Sequence, residues 1–140
     1  MKKLFIISDS YNTIIEARET KAQATKRAKE MDDPAKGVFY TAHPANLCGI
    51  AVFGKCHQDR NGNTYNTSFT TLFFDNGKTA RINTPMAYGY GEQYTQEAQN
   101  AMKKAGFLPA DYNSALWSIR DLYQIGYTAQ AVYVAREKDL

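Results

Sequence analysis

Leu47-Cys48-Gly49-Ile50-Ala51-Val52-Phe53-Gly54-Lys55-Cys56-His57-Gln58, a polar break at Asp59-Arg60-Asn61-Gly62-Asn63, and Thr64-Tyr65-Asn66-Thr67-Ser68-Phe69-Thr70-Thr71-Leu72-Phe73-Phe74 together decide the fold. Both apolar runs are β-prone, and Asn61-Gly62 lies between them. Asn-Gly between such runs is the strongest short-range hairpin signal, because both residues tolerate positive φ. A second break at Asp75-Asn76-Gly77-Lys78 leads into Thr79–Asn83, which completes an expected antiparallel meander of three strands. Even spacing in Thr64–Phe74 puts Tyr65, Phe69 and Phe73 on one side, with Thr67 and Thr71 between them. Asn66, Ser68, Thr70, Leu72 and Phe74 fall on the other. The rings are expected to form the core against the helices. The competing reading is a sheet face that stacks single-stranded bases. Lys55 and Arg81 are the only cations on the neighbouring strands, which falls short of a basic RNA-reading surface.

Upstream, residues 3–8 and Thr13-Ile14-Ile15 flank the turn chemistry of Asp9-Ser10-Tyr11-Asn12 and predict a hairpin, with one bent strand as the alternative. Thr20-x-x-Gln23 is a capping-box pattern opening a helix, with Ala24, Ala28 and Met31 as its thin apolar stripe. Asp32-Asp33-Pro34 ends it, since proline disfavours helical geometry in the preceding residue. Val38–Tyr40 reads as a short strand or a tucked loop, broken by His43-Pro44.

Downstream, 92–105 predicts a helix faced by Tyr94, Ala98, Ala101, Met102 and Ala105. Gly106 sits at its C′ position, Phe107 folds back, and Pro109 blocks continuation. Asp111 is expected to cap a further helix through Ala115, Leu116, Ile119, Leu122 and Tyr123, and 128–136 to form a last strand. The order predicts one α+β domain over 1–140: an antiparallel meander, terminal strands alongside and paired with each other, and about three helices. An edge strand of the meander, left unprotected in this reading, offers a route to a homodimer.

The chain has 140 residues and a net charge of +3, which permits an acidic partner without implying one. The N-terminal apolar run stops at Ser8-Asp9, too short for a signal peptide, and no stretch is long enough to cross a bilayer. Cys48 and Cys56 are expected on one side of a single strand, well apart and reduced. These features predict a cytoplasmic protein with no membrane partner.

Pro85-Met86-Ala87-Tyr88-Gly89-Tyr90-Gly91-Glu92-Gln93-Tyr94 marks a strand-to-helix junction. Glycines admit a ligand close to the backbone, the helix start favours an anion, and tyrosines stack on rings. Tyr88, Gly89, Tyr90, Gly91, Gln93 and Tyr94 are therefore a candidate ligand or partner site. A tight structural corner is the competing account: Glu92 already complements the helix dipole, and the glycine spacing matches no phosphate-binding fingerprint. Lys21, Lys26, Arg27 and Lys29 form a candidate basic contact surface on the first helix, bracketed by Glu19, Glu30, Asp32 and Asp33.

Gly62-Asn63-Thr64-Tyr65-Asn66-Thr67, with Pro85, Tyr88-Gly89-Tyr90-Gly91, Gln93-Tyr94 and Gly106-Phe107-Leu108-Pro109, resembles a pattern in small uncharacterised bacteriophage and prophage proteins. The resemblance spans about the middle third of the chain. It implies a phage or mobile-element origin and a binder of something in the host, without carrying over any functional residue.

Catalytic chemistry is thin. Cys56 and His57 are adjacent on a strand and so point to opposite faces, and His43 and Cys48 lack a zinc spacing. No catalytic residue, metal ligand or cofactor is assigned. The expected function is non-enzymatic binding that sequesters or inhibits a host component, most readily a host protein and a defence factor among the candidates. The alternative is a nucleic-acid or nucleotide binder using Tyr88, Tyr90 and Tyr94 with nearby cations. A hydrolase or transferase using His57 or Glu92 is the third reading.

Overall fold

The computed structural model describes residues 3–140; Met1 and Lys2, the head of the apolar run read for a leader, lie outside the described residues. Seven strands form one mixed sheet: β1 (Leu4–Asp9), β2 (Ile14–Arg18), β3 (Tyr40–Ala45), β4 (Leu47–Gln58), β5 (Thr64–Phe74), β6 (Thr79–Tyr88) and β7 (Gly126–Tyr133), in the order β3-β1-β2-β6-β5-β4-β7. The helices are α1 (Lys21–Met31), α2 (Gln93–Lys104) and the short α3 (Ile119–Tyr123). The fold is α+β, and β4, β5 and β6 are the expected antiparallel meander. The whole sheet is not antiparallel: β7 runs parallel to β4, and β2 meets β6 in parallel at the single pair Ile14 and Ala80.

The terminal strands do not pair with each other. β1 lies between β2 and β3, while β7 closes the opposite edge against β4. β7 thus covers the meander edge expected to be free, and the outermost strands are β3 and β7. His43-Pro44 lies inside β3. An edge strand tolerates proline, whose missing N–H faces away from the ladder. β6 continues through Pro85 to Tyr88, with a register shift opposite Asn66–Ser68 that accommodates the proline as a bulge. Cys48 likewise sits at a bulge between Leu47 and Gly49, so it is exposed while Cys56 is buried; the two do not share a side.

Two helices cover opposite faces at opposite ends of the sheet. Ile6, Ala17, Ala80, Leu72 and Ile50 share one core with Tyr94, Ala98 and Met102 of α2. Ile7 packs instead with Ala24 and Ala28 of α1. Thr20 caps α1, its Oγ1 accepting from the Gln23 N–H at 3.2 Å.

α2 ends as its sequence predicts. Gly106 (φ +86°) donates to the Lys103 carbonyl and Phe107 donates to the Met102 carbonyl, which buries the Phe107 ring completely. Ala17 N–H donates to the Ala105 carbonyl at 2.9 Å, so the helix end takes up a donor of β2 beside the sparsely paired β2–β6 seam. A Cβ on Gly106 would collide with the Ala17 carbonyl oxygen.

The helix expected from Asp111 is much shorter. One turn at Leu116–Ser118 precedes α3, and Gln124 in left-handed conformation (φ 56°) ends it. Leu116 and Ile119 are buried, whereas Trp117 and Leu122 are exposed.

Candidate functional site

The meander is amphipathic in the reverse of the expected sense. β5 turns Thr64, Asn66, Ser68, Thr70, Leu72 and Phe74 to the core under α2. Tyr65, Phe69 and Phe73 stand on the other face with Thr67 and Thr71. The expectation that these rings form the core is therefore overturned.

The cause is a row of small residues, Gly54, Ser68 and Thr84, in register across β4, β5 and β6. It makes room for the Tyr94 ring: a Cβ on Gly54 would lie 2.5 Å from Tyr94 Cδ2. Ser68 Oγ and Thr84 Oγ1 satisfy each other at 3.0 Å, and Thr84 Oγ1 also accepts from the Ser68 N–H at 2.9 Å. Both amide atoms of Asn66 and the hydroxyl of Thr70 are buried with no hydrogen-bond partner in the protein.

On the outer face, Phe53 of β4 and Phe69 of β5 stack with centroids 5.2 Å apart and planes 29° apart. The Arg81 guanidinium of β6 lies 4.0 Å above the Phe69 ring centroid. Phe73 is 44% exposed, which for a phenylalanine inside a paired strand marks an uncovered surface. Lys55 and His57 share this face; Lys55 Nζ donates to the Asp139 carbonyl at 3.3 Å, and His57 Nδ1 lies 3.1 Å from the Val134 carbonyl. Among the described residues, none of the side chains that β4, β5, β6 and β7 present here is a carboxylate. Two carboxylates border it: Asp139 of the C-terminal tail, paired with Arg136 at 3.0 Å, and Asp59, whose charge interacts with the His57 ring.

The junction residues divide between the two faces. Tyr94 is buried over Gly54 and is a packing residue; burial and then Glu92 push its phenol up. Burial likewise pushes the Tyr127 phenol up, to about 12. Gln93 donates to Glu97 Oε1, and its side chain fills the space a Cβ at Gly89 would need. Gly91 takes left-handed geometry (φ 58°), and α2 begins after it with no side-chain cap.

Tyr88 and Tyr90 are exposed and linked: Tyr88 Oη donates to Tyr90 Oη (3.0 Å), which donates to the Gly62 carbonyl (3.2 Å). The bond from Tyr88, ahead of desolvation, raises the Tyr90 phenol. Tyr65, whose ring meets Tyr88 edge-on at 5.6 Å, completes a tyrosine corner continuous with the aromatic face. The structure thus joins Tyr65 to Tyr88 and Tyr90 and removes Tyr94 from the set.

The basic surface also divides. Arg27 makes a two-pronged pair with Glu16 (Nε to Oε2 and Nη2 to Oε1, both 3.0 Å), and Arg18 reaches the same carboxylate at 2.9 Å. Arg27 chiefly, against partial desolvation, holds the Glu16 carboxyl below its ordinary range. Arg27 therefore clamps α1 to β2, while Lys21, Lys26 and Lys29 remain exposed around a shallow hollow floored by Ala22 and Thr25.

A separate cleft of about 1080 Å³ opens where α1, β2 and the 106–111 segment meet. Its charges are mixed, Lys26 and Lys103 with Glu19 and Asp111, over Leu4, Ala17 and Leu108. Among the described residues no cluster of His, Cys, Asp and Glu is arranged to hold a metal, and no helix is long and apolar enough to cross a membrane. No known family, curated protein or solved structure matches this chain.

Proposed function

We propose that this chain is a non-enzymatic binding protein whose working surface is the uncovered aromatic face of β4, β5 and β6, with Tyr88 and Tyr90 on its rim. One observation carries the reading: β5 buries Asn66, Ser68 and Thr70 while it leaves Tyr65, Phe69 and Phe73 outside. Contiguous exposed apolar surface is a mark of interaction sites. On this reading the protein is of the small phage or mobile-element type, acts in the host cytoplasm, and sequesters or inhibits a host component.

The test is affinity capture from bacterial lysate with wild type, a Phe53→Ser/Phe69→Ser variant, and a Lys21→Glu/Lys26→Glu/Lys29→Glu variant. A macromolecule retained by wild type and the lysine variant but lost by the phenylalanine variant supports the reading. Retention by the phenylalanine variant with loss from the lysine variant would place the site on α1 and overturn it.

A further inference from the structure

We infer that the occupant of the aromatic face is single-stranded nucleic acid, with bases stacked on the exposed Phe73 ring and on the Arg81 guanidinium that caps the Phe53–Phe69 stack, and phosphates drawn to Arg81 and Lys55; this rests on the reading above that the face is the working surface. Three features select that chemistry over a protein surface. First, the rings are spaced. Tyr65, Phe69 and Phe73 recur every fourth residue along β5, which at about 3.3 Å per residue puts successive rings about 13 Å apart. Flat platforms at intervals suit bases that can be splayed singly, and every base has a π-face to offer.

Second, the strands themselves bring cations to the face and no acids. Lys55 and Arg81 stand on the face with no carboxylate from its strands beside them, and the Arg81 guanidinium carbon lies 4.0 Å from the Phe69 ring centroid. A planar guanidinium so held can stack on a base while its edge meets a phosphate. Third, Thr67, Thr71 and Asn83 place short hydroxyl and amide groups between the rings. These groups are able to bond to base edges or sugar.

The site differs from the tyrosine–glycine junction, since Tyr94 is buried and only Tyr88 and Tyr90 reach its rim. No sequence-specific base reading is implied, because stacking and backbone charge tolerate any sequence.

The experiment is fluorescence anisotropy with labelled oligo-dT and oligo-rU of about 16 nucleotides, the upper site size for one small sheet domain, and with a duplex of the same length. Both single strands are expected to bind more tightly than the duplex. Raising salt from about 50 to about 200 mM should weaken binding about sevenfold, the loss for two phosphates at a slope of about 0.7 each. Arg81→Gln should reduce that salt effect to about threefold. Phe69→Ser should weaken binding by about 5- to 100-fold, and Phe69→Leu, which keeps apolar bulk without a π-face, should lose nearly as much.

Absence of oligonucleotide binding at low salt overturns the inference, as does binding unaffected by Phe69→Leu and Arg81→Gln. If oligonucleotides fail to bind while a host protein is captured by wild type and lost by Phe53→Ser/Phe69→Ser, the ligand class is wrong and the face reading stands. If the capture is insensitive to those substitutions as well, both fall.

Discussion

The two faces of β5 are built by opposite rules. Under α2 the strand offers Asn66, Ser68 and Thr70, short polar groups that let a helix approach closely; on the outside it offers Tyr65, Phe69 and Phe73. An ordinary half-buried antiparallel strand is apolar inward and polar outward. Here the inward polarity carries an energetic burden, since Asn66 and Thr70 lack partners, and the outward rings forgo burial. The inner face is shaped for fit, and on the proposed reading the outer apolarity serves binding.

The largest effects should come from breaking the inner fit. Gly106→Ala forces a side chain into left-handed geometry and onto the Ala17 carbonyl. We expect a loss of about 3 kcal/mol in denaturant unfolding, strain and collision together. Gly54→Ala presses on the Tyr94 ring and should cost about 2 kcal/mol, with the loss relieved in a Gly54→Ala/Tyr94→Leu double variant if the ring is the obstacle.

Two smaller changes sharpen the contrast. Thr70→Val keeps the shape and removes a buried hydroxyl that has no partner, so stability should rise by about 1 kcal/mol, measured as a higher melting temperature. Phe69→Ser, on the outer face, should cost only about 1 kcal/mol, the scale of its stacking on Phe53, although it deletes a whole ring.

The smallest effect concerns the α1 end. Glu16 has a lowered carboxyl in the folded chain, so its pair with Arg27 stabilises the fold above the unfolded carboxylate's titration and is lost as pH falls through the lowered folded value. In Glu16→Gln the melting temperature should be lower at neutral pH and less dependent on pH in that acid window.

Much of the fold is legible in the residues. Asn61-Gly62 and Asn76-Gly77 set both meander turns, and β4 and β5 have the bounds their runs predict. Gly106-Phe107 ends α2 in the geometry its motif requires. The parallel pairings of β2 and β7 have no local signal: α1 and three strands separate β2 from β6, and β7 reaches β4 only after the chain has passed through α2 and α3.

The choice of faces was harder to read. β5 carries apolar groups on both sides, Leu72 and Phe74 on one and Phe69 and Phe73 on the other, so alternation alone is ambiguous. A signal was present in Gly54 and Ser68: small residues at facing positions are where a bulky helix side chain can lie. Half of the tyrosine–glycine junction was legible as exposed. Tyr65, its third member in space, is separated from Tyr88 in sequence by β5 and β6 and joins it only through strand register.

The most direct test of the inverted sheet is NMR of ring-labelled phenylalanine in the free protein, with a soluble paramagnetic probe added. The account predicts strong broadening of Phe73, clear broadening of Phe69 and Phe53, and sharp signals from Phe74 and Phe107. Phe69 and Phe53 protected as fully as Phe107 would contradict it, because the rings would then be core and the face would be closed.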